Sequence, residues 1–248
     1  MDELENLRKE NERLQMMNEN KSDLISISAH QIRTSLSAFK WTLRMFLNKE
    51  LGEITDEQKS YLEKAMSNNE HILALVNSLL SLNHSSDTSI TFNFKKVDIV
   101  SIIEKVTTLF IGETKNKNIN LIIEKPEEQI PKLSGDEEML IVVFQNLIEN
   151  AVKYSDNDTD IKISLTYNKE DNSVLFSIKN KGIGINKEDE GNIFNKFFRA
   201  PNAIAKEHIG SGFGLFATKN IVERHHGKIW FENEQNQGTT FFVTLPIS

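Results

Sequence analysis

Apolar side chains recur along residues 25–46 at alternating spacings of four and three, and this stripe restricts the possible folds more than any other feature. Its members are Ile25, Ala29, Ile32, Leu36, Phe39, Leu43 and Phe46. Two helices bury a shared seam at this spacing. The first helix is predicted to end near Asn48, and Thr55 with Gln58 forms a capping box that begins a second helix, which His84-Ser85-Ser86-Asp87 ends. A hairpin alone cannot bury stripes of this width, so two copies are expected to pair as a four-helix bundle.

The composition excludes several kinds of partner and site. A net charge of -7 without a large basic cluster argues against nucleic acid or an anionic membrane as the main partner. The absence of cysteine removes disulfides and cysteine-based zinc sites and fits a reducing compartment. No apolar run approaches the ~20 residues of a membrane span, and the first twenty residues are too charged for a signal peptide. We therefore expect no membrane insertion and a cytoplasmic location, either alone or as the cytoplasmic portion of a larger protein.

Three regions are predicted from the change in pattern. Residues 1–24 continue the seam as an N-terminal coiled coil, residues 25–88 form the helical hairpin, and residues 89–248 alternate between strands and helices. Strands are predicted at 91–95, 118–124, 161–167, 174–179, 228–232 and 239–245. Helices are predicted from Asp98 to about Glu113, after Asp136, and from the glycine-rich stretch to about His226. The expected fold class is α+β, with the helical hairpin followed by an α/β sandwich that has helices on one face of its sheet.

His30 follows Ala29, a member of the seam. Neighbouring residues of a helix are rotated by roughly 100°, so the imidazole is predicted to point away from the seam, to solvent or to a visiting domain. Imidazole is nucleophilic when neutral, and its ordinary pKa of ~6.5 leaves most of it neutral at cytoplasmic pH. By position alone, His30 is either a nucleophile reached from outside or an ordinary surface residue of a coiled coil.

Two polar motifs in the third region have spacings that suit a phosphate-bearing ligand. The first is Asn146-Leu147-Ile148-Glu149-Asn150-Ala151-Val152-Lys153-Tyr154. Asn146, Asn150 and Lys153 share one helix face, where two amide oxygens and an ammonium could bind Mg²⁺ and phosphate oxygens, although a plain polar face is the alternative. The second motif, Asn-Lys-Gly-Ile-Gly-Ile at 180–185, follows a predicted strand. Its glycines allow either close backbone approach to a ligand or simply a turn.

Two further motifs follow in order. Residues 193–199, Ile-Phe-Asn-Lys-Phe-Phe-Arg, form an aromatic cluster for which core packing is at least part of the role. Residues 210–215, Gly-Ser-Gly-Phe-Gly-Leu, immediately precede a predicted helix. A glycine-rich backbone that leads into a helix N-terminus is suited to hold phosphate. Each motif alone is weak evidence for a phosphate-binding site, but the occurrence of all four in this order after His30 argues strongly against a chance match.

The chain resembles sensor histidine kinases from about residue 20 to its end. Residues 29–34, Ala-His-Gln-Ile-Arg-Thr, are similar to their phospho-acceptor box, usually written His-Glu-Leu-Arg-Thr-Pro-Leu. The four motifs look like the N, G1, F and G2 boxes of their ATP-binding domain, whose superfamily includes DNA gyrase, Hsp90 and MutL. The resemblance implies ATP and Mg²⁺ as cofactors, a homodimer, autophosphorylation of His30, and transfer to an aspartate of a response-regulator receiver domain.

The resemblance also implies a role for particular residues. The phosphoryl acceptor is His30, Gln31 takes the place of the residue that orients or deprotonates it, and Thr34 corresponds to a threonine linked to phosphatase activity. Asn146 and Asn150 would contact the metal. The implied nucleotide contacts are Asn146, Asn150, Lys153, Tyr154, Asn180, Gly182, Gly184, Ile185, Arg199, Gly210, Gly212, Phe213, Gly214, Leu215 and Thr239. Residues from about 187 to 211 would form a lid over ATP.

Three positions depart from the family pattern. Gln31 replaces an acidic residue, Ser35 replaces a proline, and Asn180 replaces the aspartate that accepts a hydrogen bond from adenine. An asparagine oxygen still accepts that bond, but the loss of charge could weaken binding by ~1 kcal/mol. A catalytically impaired, nucleotide-binding signalling dimer is therefore the main alternative. An ATP hydrolase of the superfamily is disfavoured because such enzymes carry glutamate at the position of Asn146, and a purely structural coiled coil would not need two glycine boxes.

Overall fold

The computed structural model describes residues 2–81, 92–126, 128–208, 210–234 and 238–247. The chain divides into two compact units, Met1–Thr91 and Phe92–Ser248. The first unit contains two helices, α1 (Asp2–Leu47) and α2 (Asp56–Ser81). The predicted end of the second helix at residues 84–87, and the predicted domain boundary at 88, lie outside the described residues.

A reciprocal pair of hydrogen bonds begins α2. The backbone N–H of Gln58 donates to Thr55 Oγ1 at 3.2 Å, and the N–H of Thr55 donates to Gln58 Oε1 at 2.9 Å. These bonds satisfy two N–H groups that the first turn of a helix leaves unpaired. The predicted capping box is confirmed, and with it the position of the turn between the two helices.

The hairpin of one chain covers only part of the predicted seam. Ala29 and Leu43 are 1% and 4% exposed, whereas Ile32 and Phe39 remain 47% and 51% exposed. Asn69 of α2 is buried, and its Nδ2 donates to the carbonyl oxygen of Leu36 in α1 at 3.0 Å. One set of seam residues thus packs within the hairpin, while the other presents apolar surface that the hairpin itself leaves uncovered.

The second unit has twelve elements within the described ranges. They are β1 (Lys95–Val97), α3 (Ile99–Thr108), α4 (Ile111–Asn116), β2 (Asn120–Glu124), β3 (Leu133–Gly135), α5 (Glu137–Tyr154), β4 (Asp160–Asn168), β5 (Ser173–Asn180), α6 (Pro201–Lys206), α7 (Gly214–Arg224), β6 (Lys228–Glu234) and β7 (Gly238–Pro246). β1 pairs antiparallel with β3, and the larger sheet has the order β2-β4-β5-β7-β6. Only the β2–β4 pair of that sheet is parallel.

Helices α3, α5 and α7 pack together, and α5 lies on the sheet. Alternate residues of the central strands, such as Ile163, Phe176 and Val243, are fully buried, as alternation along a strand predicts. The rings of Phe144 on α5 and Phe176 on β5 are 4.9 Å apart. Burying one such side chain stabilises a fold by about 1.5–3 kcal/mol. The predicted α/β sandwich is confirmed.

Two boundary predictions were wrong. Of the strand expected at 91–95, the described residues 92–94 are not in a strand, and the strand is β1 at 95–97, whose bounds are set by its pairing with the remote β3. The helix expected from Asp98 to Glu113 breaks at Leu109–Phe110, where backbone N–H groups bond to carbonyls three residues back. The hydroxyls of Thr107 and Thr108 bond to carbonyls of the last turn, which competes with helix continuation. Sequence patterning also missed the short elements β3 and α6.

Candidate functional site

Helix α5 carries the N box, the first of the four motifs. Its N-cap Asp136 accepts a hydrogen bond from the backbone N–H of Met139 at 3.1 Å, which pairs one of the free donors of the first turn. Three of the predicted contacts near the C-terminal end of α5 are half-buried: Asn150, Lys153 and Tyr154. The helix therefore presents two of the predicted metal and phosphate ligands, together with a phenol, near its C-terminal end.

Asn146 joins α5 to the G2 box. Its buried Nδ2 donates to the carbonyl oxygen of Gly214 at 3.3 Å and to Thr218 Oγ1 at 3.2 Å, both in α7. A Cβ atom at Gly214 would lie only 3.2 Å from Asn146 Oδ1. The side chain thus fixes the start of α7 against α5, and its predicted contact with a metal stays a prediction.

The G1 loop packs on the C-terminal end of α5. A Cβ atom at Gly182 would lie 1.9 Å from the carbonyl oxygen of Tyr154, so only glycine fits there. The backbone N–H of Ile183 donates to that same oxygen at 3.4 Å, and the N–H of Asp156 donates to the Lys181 carbonyl at 3.0 Å. The first and second motifs are therefore neighbours in space.

Three polar residues form one row across the sheet beside the G1 loop. Asn180 on β5 pairs with Thr239 on β7, and Thr239 pairs with Asn233 on β6. Asn180 and Thr239 are both buried. Gly238 has a φ of +103°, and a Cβ there would lie 1.8 Å from the carbonyl oxygen of Asn180. The structure thus brings together two of the predicted nucleotide contacts, Asn180 and Thr239.

Two asparagines that sequence reasoning missed hold the end of the G1 loop. Asn233 Oδ1 accepts from the backbone N–H of Ile185 at 3.1 Å, while its Nδ2 donates to the Ile185 carbonyl oxygen. Asn202 of α6 donates from Nδ2 to the Gly184 carbonyl oxygen at 3.2 Å. The only sequence signal for Asn233 is its place six residues before Thr239 on the last hairpin.

Arg199 of the F box binds backbone carbonyls in the predicted lid. Its guanidinium donates to the carbonyl oxygens of His208 at 3.0 Å and Gly210 at 3.3 Å, and also to that of Glu207. It is also hydrogen-bonded to the Tyr154 hydroxyl. Because Arg199 bonds to both α5 and the residues before the G2 box, it places the F box between the N and G2 boxes.

The aromatic cluster packs against the G2 glycines. The rings of Phe197 and Phe213 are 5.9 Å apart, and Phe213 is buried. A Cβ atom at Gly212 would lie 2.7 Å from the backbone of Phe197 and Phe198, at a φ of +66°. Leu215 is half-buried in the first turn of α7. Core packing is thus part of the role of both motifs, and the glycine-rich segment does lead into a helix N-terminus.

The phospho-acceptor box lies within α1 of the other unit. The structure describes the backbone of His30 but not its side chain, so the outward orientation of the imidazole stays a prediction. Gln31 and Thr34 are exposed. Ser35, at the family's proline position, keeps its backbone N–H, and its Oγ donates to the Gln31 carbonyl oxygen at 3.1 Å.

Comparison with known families matches both units. Residues 20–87 match the His Kinase A (phospho-acceptor) domain, and residues 135–248 match the histidine kinase-, DNA gyrase B- and HSP90-like ATPase. The first range contains His30 and the second contains all four boxes. The chain belongs to the sensor histidine kinase family.

The relatives of this histidine kinase include WalK proteins. It is 30% identical over 234 residues to sensor histidine kinase WalK of Bacillus subtilis (strain 168), which covers 93% of this chain and 37% of that one. It is 31% identical over 236 residues to sensor protein kinase WalK of Staphylococcus aureus (strain MRSA252), covering 94% and 38%. The chain thus spans less than half the length of these two relatives.

Solved histidine kinases share its fold. The catalytic domain of ThkA matches with a TM-score of 0.54 and 29% identity, covering 62% of this chain and 96% of that domain. Full-length ShkA, solved in complex with AMPPNP, matches with a TM-score of 0.63 and 23% identity, covering 91% and 46%. Among the described residues of this histidine kinase, no helix has the length and apolar character needed to cross a bilayer.

Burial shifts three pKa values near the C-terminal end of α5 in this histidine kinase. Burial raises the pKa of Glu149, opposed by Lys153, and raises that of Tyr154, opposed by Arg199. Burial lowers the pKa of Lys117, whose Nζ donates to the Val152 and Lys153 carbonyl oxygens at 2.9 Å each. Glu149 and Lys117 were not predicted as site residues. A cation at the last carbonyls of α5 stabilises that end of the helix.

The donor set of the kinase suits magnesium held mainly by a nucleotide. Within the described ranges, no group of three or more histidine, aspartate or glutamate side chains could hold a metal. Mg²⁺ usually binds one or two protein oxygens together with phosphates and water. The half-buried amide of Asn150 could supply one such oxygen, and its role as a metal ligand stays a prediction.

Proposed function

We propose that this chain transfers the γ-phosphoryl group of Mg-ATP to His30 and then to an aspartate of a response-regulator partner. The observation that carries the proposal is the convergence of the N, G1, F and G2 boxes around α5, in a chain whose other unit carries the phospho-acceptor box. Phosphoryl transfer depends mainly on positioning and charge neutralisation, and these are what such an arrangement supplies.

The proposed first step is phosphoryl transfer from ATP to the imidazole of His30. An unprotonated ring nitrogen of His30 attacks the γ-phosphorus, the bond from that phosphorus to the bridging oxygen breaks, and ADP leaves with the electron pair. The imidazolium proton then passes to solvent or to a carboxylate, because the Gln31 amide accepts a hydrogen bond but no proton. Magnesium, when bound, neutralises phosphate charge.

Individual residues support that step. Asn150 would hold the magnesium, and Lys153 would contact a phosphate oxygen. Asn146 keeps the G2 box against α5 through its bonds to Gly214 and Thr218. The backbone N–H groups at the start of α7 would bind phosphate, as helix N-termini commonly do. Asn180 would accept from the adenine amino group and donate to the adjacent ring nitrogen.

The test uses labelled ATP and Mg²⁺. The chain should incorporate an acid-labile, alkali-stable label that the His30→Ala variant lacks. His71→Ala is the matched control, since His71 lies in α2 without the surrounding motif. Label that persists in His30→Ala would refute the assignment of the acceptor.

The second candidate function is that of a nucleotide-binding signalling dimer that has lost kinase activity through Gln31 and Asn180. It predicts saturable nucleotide binding without label in any histidine. Calorimetric titration with a non-hydrolysable ATP analogue, beside the labelling assay, separates a nucleotide-binding signalling dimer from an active kinase.

The exposed seam supports a homodimer. Ile32, Phe39 and Phe46 on α1 are 47%, 51% and 37% exposed in the single chain. Apolar side chains this large in one stripe are typical of a surface that a partner covers. Light scattering after size exclusion should give twice the mass of one chain, and a concentration-independent monomer would contradict the proposal.

Phosphatase activity towards the partner is proposed for Thr34. It lies one helical turn beyond His30 on the same face of α1, where it could position water. Thr34→Ala should preserve labelling of His30 and slow dephosphorylation of a phosphorylated receiver domain. Equal loss of both activities would count against this role.

A further inference from the structure

Both polar atoms of the peptide group that joins Gly184 to Ile185 are hydrogen-bonded to side chains. Its carbonyl oxygen accepts from Asn202 Nδ2 at 3.2 Å, and its N–H donates to Asn233 Oδ1 at 3.1 Å. Asn233 Nδ2 also donates to the next carbonyl oxygen, that of Ile185. We call Asn202 and Asn233 the asparagine clamp. Three side-chain bonds thus set the orientation of two consecutive peptide groups.

A loop with this backbone needs such a clamp. Gly184 has a φ of +64°, in the left-handed region that glycine enters freely, so the peptide after it can rotate at little steric cost. Rotation by half a turn would exchange the directions of its N–H and C=O groups. Both clamp bonds would then face the wrong atom, and so the clamp favours one orientation.

The clamp lies beside the proposed adenine site. Asn233 is in the same cross-strand row as Asn180 and Thr239, and the Thr239 hydroxyl is 3.5 Å from Asn233 Oδ1. The clamped peptide is four residues after Asn180 in the chain. Whatever orients this peptide therefore shapes the loop that begins at Asn180.

The other half of the clamp belongs to α6, inside the predicted lid. α6 is also joined to the segment that follows the N box, because Lys206 Nζ forms an ion pair with Asp156 Oδ1 at 2.9 Å. Displacement of α6 would remove the Asn202 bond and leave the Asn233 bonds in place. The G1 loop thus has one fixed support on the sheet and one support that depends on the lid.

We propose that Asn233 is a positioning residue for nucleotide binding, which locks the G1 loop in its binding conformation, and that Asn202 makes this lock depend on the seating of α6. The inference rests on the proposed function, since it assigns the G1 loop to the nucleotide. It adds a residue of β6 and a residue of α6 to the support of the site, and neither belongs to the four boxes.

Amide exchange of the Ile185 N–H tests the clamp directly. In the full chain without nucleotide, Asn233→Ala should speed exchange at Ile185, whereas Asn233→Asp keeps the acceptor and should retain protection. Asn168→Ala is the matched control. It removes an asparagine whose Oδ1 holds backbone N–H groups of the β4–β5 turn, at 3.0 Å for Glu170, far along the hairpin from the G1 loop. It should leave Ile185 exchange unchanged.

Nucleotide affinity tests the positioning role. Titration with a fluorescent ATP analogue and Mg²⁺ should give about 10-fold weaker binding for Asn233→Ala, as expected for losing a pair of hydrogen bonds. Asn202→Ala should weaken binding less. Because both residues hold one peptide, the double variant should lose less than the product of the two single losses. Asn168→Ala should bind like the unchanged chain.

The possible outcomes distinguish the clamp and its positioning role from the proposed function. Faster Ile185 exchange together with weaker binding in Asn233→Ala supports the clamp and its role. Unchanged exchange overturns the clamp, and faster exchange with unchanged binding overturns its positioning role, while the proposed function stands in both cases. Absence of nucleotide binding by the unchanged chain overturns the proposed function and this inference with it.

Discussion

A single methyl group at Gly182 should disable the nucleotide site without unfolding the chain. The added Cβ of Gly182→Ala would lie 1.9 Å from the Tyr154 carbonyl oxygen and 3.0 Å from the Ser155 Cα. Both atoms are backbone, so no side-chain rotation can relieve the contact. Either the G1 loop or the end of α5 must move.

The size of the movement follows from the contact distance. Real Cβ atoms essentially never approach another atom closer than 3.0 Å, so the separation must grow by about 1.1 Å. A misplacement of this size can cost about 100-fold in rate, which corresponds to about 2.7 kcal/mol of activation free energy. Overpacking of this kind also destabilises a fold by about 1–3 kcal/mol. We expect a folded protein with a large loss of activity.

The assay is the initial rate of His30 labelling over a range of ATP concentrations, beside a thermal melt of the same sample. Gly112→Ala is the control, because Gly112 is exposed on α4, where alanine favours the helix. It should label at the normal rate and melt no earlier than the unchanged chain. A Gly182→Ala protein that labels within threefold of the normal rate would refute the reasoning from backbone contact.

Three other predictions concern separate parts of the chain. Gln31→Glu should raise the rate of His30 labelling by up to about 100-fold, since a carboxylate can take the proton, and an unchanged or lower rate would refute this. Thr55→Ala should lower the free energy of unfolding by about 1 kcal/mol through loss of the bond from Gln58 N–H, whereas Thr55→Ser should not. Burial lowers the pKa of His225, whose Nε2 accepts from the Asp136 N–H at 3.0 Å, so its contribution to stability is present above pH ~6.5 and is lost as the pH falls below it. Urea midpoints between pH 7.5 and 5.5 should fall more steeply than in His225→Gln, and parallel curves would contradict the assignment.

Structural features that depend on residues close together in the chain were predictable from the sequence. Thr55 and Gln58 form their capping box, and Asp98 and Asp136 cap α3 and α5, because each side chain bonds to a backbone group within three residues. The alternation of β4 and β5 was equally visible, since one buried face requires it. The propensity of a short segment determines such features almost alone.

Features that depend on remote partners were not predictable in the same way. β1 is three residues long and exists through its pairing with β3, which lies almost forty residues further along the chain. Asn202 and Asn233 reach the G1 loop from two other elements, and neither residue has a neighbour that signals its role. A single sequence does not show which distant backbone atom a polar side chain will contact.

The glycine boxes show that residue type is easier to predict than the partner of a residue. From the resemblance, the glycines at 182 and 214 are predicted to contact the nucleotide, whereas the residues alone also allow a plain turn at 182. In the structure, Gly182 admits the carbonyl of Tyr154 and Gly214 admits the amide of Asn146, so both first allow other segments to reach α5. A displaced G1 loop would therefore also displace the end of the helix that carries Lys153. Because the same contacts support both parts of the proposed nucleotide site, substitutions at these glycines should change nucleotide affinity and labelling rate together.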